Sequence, residues 1–189
     1  MRNAFVTSYV PLLSILLFSL SYSIYVIGKV KEFLRGIGLY QGMSQFLSEV
    51  QLTVLLIASS MTFFFMLLSA FKLIAETING LSFLFFVDSR DELNLYTSLK
   101  PLSWIFLVGG FLSIFLTFSI WGMVGISVLV VLIYLVVFFY NVGAVTNIGR
   151  LLGVMLFNIS SYSALILLLL YIGLKLYNGV LSSLSLVPS

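Results

Sequence analysis

Lys72 and Glu76 stand four residues apart in the apolar run that begins at Val50, a spacing that puts both side chains on one helix face. An ammonium and a carboxylate so placed can pair, bind a polar solute or relay a proton, and ionisable groups near a membrane interior are costly enough to point to function. The plainer alternative is topological, with Lys72 snorkelling to the headgroups and Glu76 steadying it in the interface. A second polar group, Asn158, Ser160, Ser161 and Ser163, falls midway along another apolar run. Asn158 and Ser161 are three apart on one face, so they can line a polar path or hydrogen-bond a neighbouring helix, the usual role of such residues. Asp88, Asp91 and Glu92 offer the oxygen ligands a hard cation prefers, but without the acid and glycine pattern of an EF-hand loop. Ser89 and Glu92 fit a helix capping box instead. Asn141, Asn147 and Arg150 either face a vestibule for an anionic group or anchor a helix end.

The chemistry missing from the chain is as informative. It has no Cys and no His. Disulfide frameworks, thiolate metal sites, imidazole bases and Ser-His-Asp triads are therefore excluded. Neither a G-x-S-G nor a Gly-Asp intramembrane protease pattern occurs. The expectation is a protein that is not an enzyme and needs no cofactor or metal. Its nine Lys or Arg and six carboxylates leave a net charge of +3, which membrane flanks explain without nucleic acid.

The elements that must carry these residues follow from composition. Of 189 residues, 61% are hydrophobic and 8% charged, far from the quarter charged that is usual in soluble domains. Too few charges remain to clothe a water-facing surface, so most of it must face lipid. The chain reads as an all-α, polytopic membrane helix bundle, a single transmembrane domain over residues 1–189. Runs long enough to cross the hydrocarbon core, about 20 residues each, predict five spans, at about 8–28, 49–79, 102–120, 124–140 and 151–174, four of them clear and the second complicated by Lys72 and Glu76. A sixth arises if 72–87 dips back as a broken pair.

Local signals set the ends. Pro11 opens the first span, which is too long for a secretory leader, and no small-x-small cleavage pattern follows it. Residues 29–47 read as an interfacial segment, with Lys29, Lys31 and Arg35 among apolar neighbours. Ser48 and Gln51 form a capping-box pattern at the start of the second span, and Asn79-Gly80 reads as its stop. The aromatic run after it, within 81–100, reads as interfacial anchoring. Trp121-Gly122-Met123 predicts a tight turn, and 141–150 a polar, glycine-rich connector. Gly109, Ser113 and Thr117 on the third span, and Gly149 with Gly153 on the fifth, are small-residue stripes where helices approach closely.

Basic residues after the first span put the N terminus outside and the C terminus inside. Summed over all loops the bias nearly vanishes, with Arg2, Lys72, Arg90, Lys100 and Arg150 on one side against Lys29, Lys31, Arg35 and Lys175 on the other. That balance permits dual insertion and antiparallel dimers, and it is equally that of a monotopic chain whose bias counting does not read.

Tyr9-Val10-Pro11-Leu12-Leu13 with Leu16-Leu17-Phe18-Ser19, the loop Gly38-Leu39-Tyr40-Gln41-Gly42-Met43, and Phe71-Lys72-Leu73-Ile74-Ala75-Glu76-Thr77 resemble the YufK-like family, small integral membrane proteins of Bacillus-type bacteria without an established function. The resemblance runs along most of the chain. It implies a Gram-positive plasma membrane and draws attention to the Lys72–Glu76 segment, and it assigns no catalytic or binding residue.

Two functions fit these residues. One is movement of a small solute or ion by a homo-oligomer, since five helices enclose little room for a private aqueous path. The other is a non-transporting accessory or regulatory subunit that docks through its small-residue stripes on a larger membrane complex.

Overall fold

The computed structural model describes residues 9–88, 95 and 98–184, and among these the chain is helical with no strand. Six α-helices follow in order: α1 Val10–Gly36, α2 Leu39–Ser44, α3 Glu49–Phe86, α4 Ser103–Phe115, α5 Ile120–Val145 and α6 Ile148–Leu184. A 3-10 turn, Lys100–Leu102, leads into α4.

Start signals act as their chemistry dictates. Pro11 sits in the first turn of α1, where a missing N–H costs nothing. α1 does not stop near Gly28 but carries its basic residues to Gly36 as one continuous helix, so 29–36 continues the first helix. Gly38 then takes φ +76°, the left-handed region open to glycine, and turns the chain into α2. At α3, Gln51 N–H donates to Ser48 Oγ while Ser48 N–H donates to Gln51 Oε1 at 3.0 Å, a complete capping box.

The stop at Asn79-Gly80 is overridden, and α3 runs on to Phe86 for 38 residues, about 57 Å. A glycine in a helix costs about 1 kcal/mol. Phe83 more than offsets it, stacking on Phe138 of α5 with ring centroids 5.7 Å apart and only 1% of its surface exposed. The run 81–86 thus continues α3, with Phe83 packed inward.

The expected turn at Trp121-Gly122-Met123 lies earlier, at Leu116–Ser119. Ser119 Oγ accepts from Gly122 N–H and caps α5, which draws Trp121 and Met123 into the helix. α4 therefore ends at Phe115 with 13 residues. Together with the 3-10 turn it covers about 25 Å, short of the roughly 30 Å of hydrocarbon. Among the described residues, four helices are long and apolar enough to cross a membrane by length and composition. The polar connector shrinks likewise. Asn141 Nδ2 donates to Val137 O at 2.8 Å and Thr146 Oγ1 to Val142 O at 2.7 Å, so the amide and hydroxyl bond back into α5 and the break narrows to Thr146-Asn147. α6 continues past Lys175 to Leu184.

α1 packs on α3 and α4, α4 on α5, and α6 on α3 and α5. Ser21 opposite Ser113, with Ser14 and Leu17 opposite Gly110, shows that α4 runs parallel to α1. Gly153 against Phe86 and Phe157 against Phe85 show that α6 runs antiparallel to α3. Two apolar cores hold the ends. Tyr40, Leu52 and Leu56 close one, with the Arg35 guanidinium 4.7 Å from the Tyr40 ring centroid. Phe83, Leu95, Leu102, Phe138, Val142 and Val154 close the other. The outward face is oily throughout, as at Leu84, Val136 and Leu156, each more than two-thirds exposed. Such a face is stable only against lipid or another membrane helix.

Candidate functional site: a polar face on α3

Because α3 does not stop at Asn79, Ser69, Lys72, Glu76 and Asn79 recur every three or four residues and line one face of it. Lys72 Nζ and Glu76 Oε1 are ion-paired at 2.6 Å, with the lysine 37% and the glutamate 59% exposed. Between Glu49 and Asp88 they are the only charges in the sequence. About 35 Å of helix separates Glu49 from Lys72, and about 18 Å separates Glu76 from Asp88. The pair also lines an open-sided cleft of about 400 Å³, where Pro11 and Ile15 of α1 face Ser69, Lys72 and Glu76. It is not enclosed.

One turn further along α3 the face becomes buried. Asn79 Nδ2 donates to Tyr134 Oη of α5 at 3.3 Å, and Ser82 Oγ donates to the Asn79 carbonyl at 2.8 Å. Tyr134 lies within electrostatic reach of Glu76 and of Tyr162 on α6. Asn158, one turn before Tyr162, is 1% exposed and donates from Nδ2 to Val154 O at 2.9 Å. Asn79 Oδ1 and Asn158 Oδ1 are buried without a hydrogen-bond partner. Asn79 and Tyr134 thus join α3 to α5 beside Glu76, and Asn158 is buried on α6 one turn before Tyr162, where α6 packs on α3 and α5.

The other sequence-selected residues are placed as follows. Ser161 is half-buried, whereas Ser160 and Ser163 face outward. Gly109 makes a close approach, since a Cβ there would lie 2.2 Å from Val130 Cγ2. Ser113 is buried, its Oγ 2.7 Å from Ser21 Oγ. Thr117 falls in the turn after α4, half-buried, because the helix has already ended. Gly153 packs so tightly that a Cβ would meet Phe86 Cδ1 at 2.4 Å. Gly149 faces open space in the first turn of α6, before that helix meets α3, and takes no part in the approach. Asp88 pairs with Arg150, a cross-chain link that ties the end of α3 to the start of α6. Asp91, Glu92 and Ser89 lie outside the described residues, so the acidic cluster has no geometry to describe.

Asn79 and Tyr134 were missed as site residues by the sequence reading. Asn79 had a usable signal, standing three residues after Glu76 on the same face. Tyr134 had none, because its partner is 55 residues away.

Residues 26–185 match a family described as a family of unknown function, DUF5366. A relative from Bacillus subtilis (strain 168), "Uncharacterized membrane protein YufK", is 37% identical over 185 residues, covering 97% of this chain and 99% of its own length. No solved structure matches.

Proposed function

This chain belongs to the DUF5366 family of unknown function, so its activity has to be read from its own residues, and we propose that it moves a small polar solute or ion across a bacterial plasma membrane. It acts without enzymatic chemistry and as a homo-oligomer. The observation that carries this reading is the continuity of the α3 face: a charged pair on an open cleft at Lys72–Glu76, then buried amides at Asn79 and Asn158 one turn inward. A charge that only anchored a helix end would have water-facing neighbours on both sides. Here apolar helix extends well beyond the pair in both directions. The cleft beside the pair is open-sided, which favours a path completed between copies.

The test is flux into proteoliposomes, with entrapped pyranine for protons and radiolabelled sodium and rubidium for cations. Wild-type protein supports uptake of at least one, and Lys72→Met and Glu76→Gln abolish it at unchanged expression and oligomeric state. Unchanged flux in both variants, or none in wild type, overturns the reading.

A second reading, an accessory or regulatory subunit of a larger membrane complex, is favoured by α6. Every residue from Ile166 to Gly179 is exposed, so this stretch of the C-terminal half of α6 packs on no other helix among the described residues. Capture of one defined heterologous membrane protein by crosslinkers placed on this half, together with no flux, supports it over transport.

A further inference from the structure

The two orphaned amide oxygens define what the junction of α3, α5 and α6 can accept. A buried carbonyl-type oxygen without a partner costs about 1–3 kcal/mol, and such atoms call for an ion or water to complete them. Here each amide nitrogen donates one hydrogen bond, Asn79 Nδ2 to Tyr134 Oη and Asn158 Nδ2 to Val154 O. The atoms left open, Asn79 Oδ1 and Asn158 Oδ1, are acceptors only, on residues 9% and 1% exposed. Open acceptors of this kind favour an occupant that brings positive charge or protons.

The level of the two amides agrees. Phe83 and Val154 share one buried cluster, and Asn79 and Asn158 each lie one turn from these on antiparallel helices, displaced in the same direction. Tyr134 of α5 is bonded to Asn79 and lies in electrostatic reach of Tyr162, one turn along α6 from Asn158. The oxygen set is neutral amide and phenol. Divalent cations are held by carboxylates, whereas neutral oxygens suit a singly charged ion that sheds its water. Glu76, three residues along the same face, adds a carboxylate's attraction close by, although Lys72 holds one of its oxygens.

We propose that Asn79, Tyr134 and Asn158 form a monovalent alkali-cation site at the junction of α3, α5 and α6. Its role as the inner station of a transport path rests on the function proposed above, but its existence does not.

The test is thermal unfolding of the full chain in detergent, in sodium, potassium or choline chloride at equal ionic strength. Sodium or potassium raises the midpoint by about 4 °C over choline at about ten times the dissociation constant. Asn158→Leu and Asn79→Leu remove this salt specificity. Asn158→Asp, which adds a charge at nearly constant shape, lowers the half-effective cation concentration at least tenfold. Equal midpoints in all three salts, in wild type and in Asn158→Asp, overturn the site and leave water as the occupant. If the leucine variants do not fold, wild type and Asn158→Asp decide alone. Flux that depends on Lys72 with salt-independent midpoints overturns the site and keeps the transport reading. Cation-specific stabilisation without flux keeps the site and overturns that reading.

Discussion

Along α1, the buried hydroxyls of Ser14, Ser19, Ser21 and Ser23 each return a hydrogen bond to a carbonyl, whereas across α3, α5 and α6 the buried amides of Asn79 and Asn158 leave their oxygens open. Ser14, Ser19 and Ser21 bond Val10 O, Ile15 O and Leu17 O one turn back, at 2.7, 2.6 and 2.9 Å. Ser23 reaches across to Ile57 O of α3 at 2.8 Å, and Tyr22 Oη lies 2.9 Å from Ser127 Oγ of α5. The first seam is finished, and its polar atoms act as close-packing glue. The second seam is unfinished, which is the pattern of a place kept for something else. A buried polar residue in a membrane helix is therefore informative less by its presence than by its unused atoms.

The sharpest way to break the finished seam is through its closest approach. Gly109→Val forces side-chain atoms into the space of Val130, whose Cγ2 lies 2.2 Å from the Cβ position, with Phe18 Cζ at 3.3 Å on the other side. Overpacking of this kind costs about 1–3 kcal/mol or more. The expected outcome is the largest stability loss among these variants, read as a lower unfolding midpoint in detergent. Gly149→Ala, at a helical glycine facing open space, does not lower the midpoint and serves as control.

A smaller effect distinguishes the seams by sign. Ser113→Ala removes the Ser21–Ser113 contact and its bond to Gly110 O at 2.7 Å, costing about 1 kcal/mol. Asn158→Leu, measured in choline chloride, is neutral or stabilising, because it deletes an oxygen that no protein group satisfies. If both variants destabilise equally, the distinction between glue and site fails.

How much of this was legible beforehand depended on the range of the interaction. Composition settled the solvent, and the local signals Pro11 and Ser48 with Gln51 marked helix starts because their hydrogen-bonding consequences lie within one turn. Asn79-Gly80 misled for the same reason. Its local preference for a stop is worth about 1 kcal/mol, and that was outweighed by Phe83 stacking on a ring 55 residues away. Taken only as a stop, Asn79 does not stand out as a member of the face it shares with Glu76. The third span came out short because Ser119, not the Trp121-Gly122 pair, caps the next helix. Asn158 could be singled out as a polar residue in an oily run, but its open oxygen exists only by virtue of what α3 and α5 fail to offer it.

The smallest effect concerns the link that joins the far ends of α3 and α6. Arg150 and Asp88 pair across 62 residues, yet their side chains are 40% and 60% exposed, so solvent competes for both. Exposed pairs contribute about 0–1 kcal/mol, less at high salt. Arg150→Gln and Asp88→Asn should therefore each shift the unfolding midpoint by no more than about 2 °C, and the double variant should match the single ones. The packing beneath the pair explains why: Phe86 is wedged against Gly153, and Phe157 lies 6.0 and 6.2 Å from the Phe85 and Phe86 ring centroids, so the ends stay joined without the charges. A midpoint loss comparable with that of Gly109→Val would show instead that the ion pair holds α6 against α3. The amide seam would then depend on a surface charge for its shape.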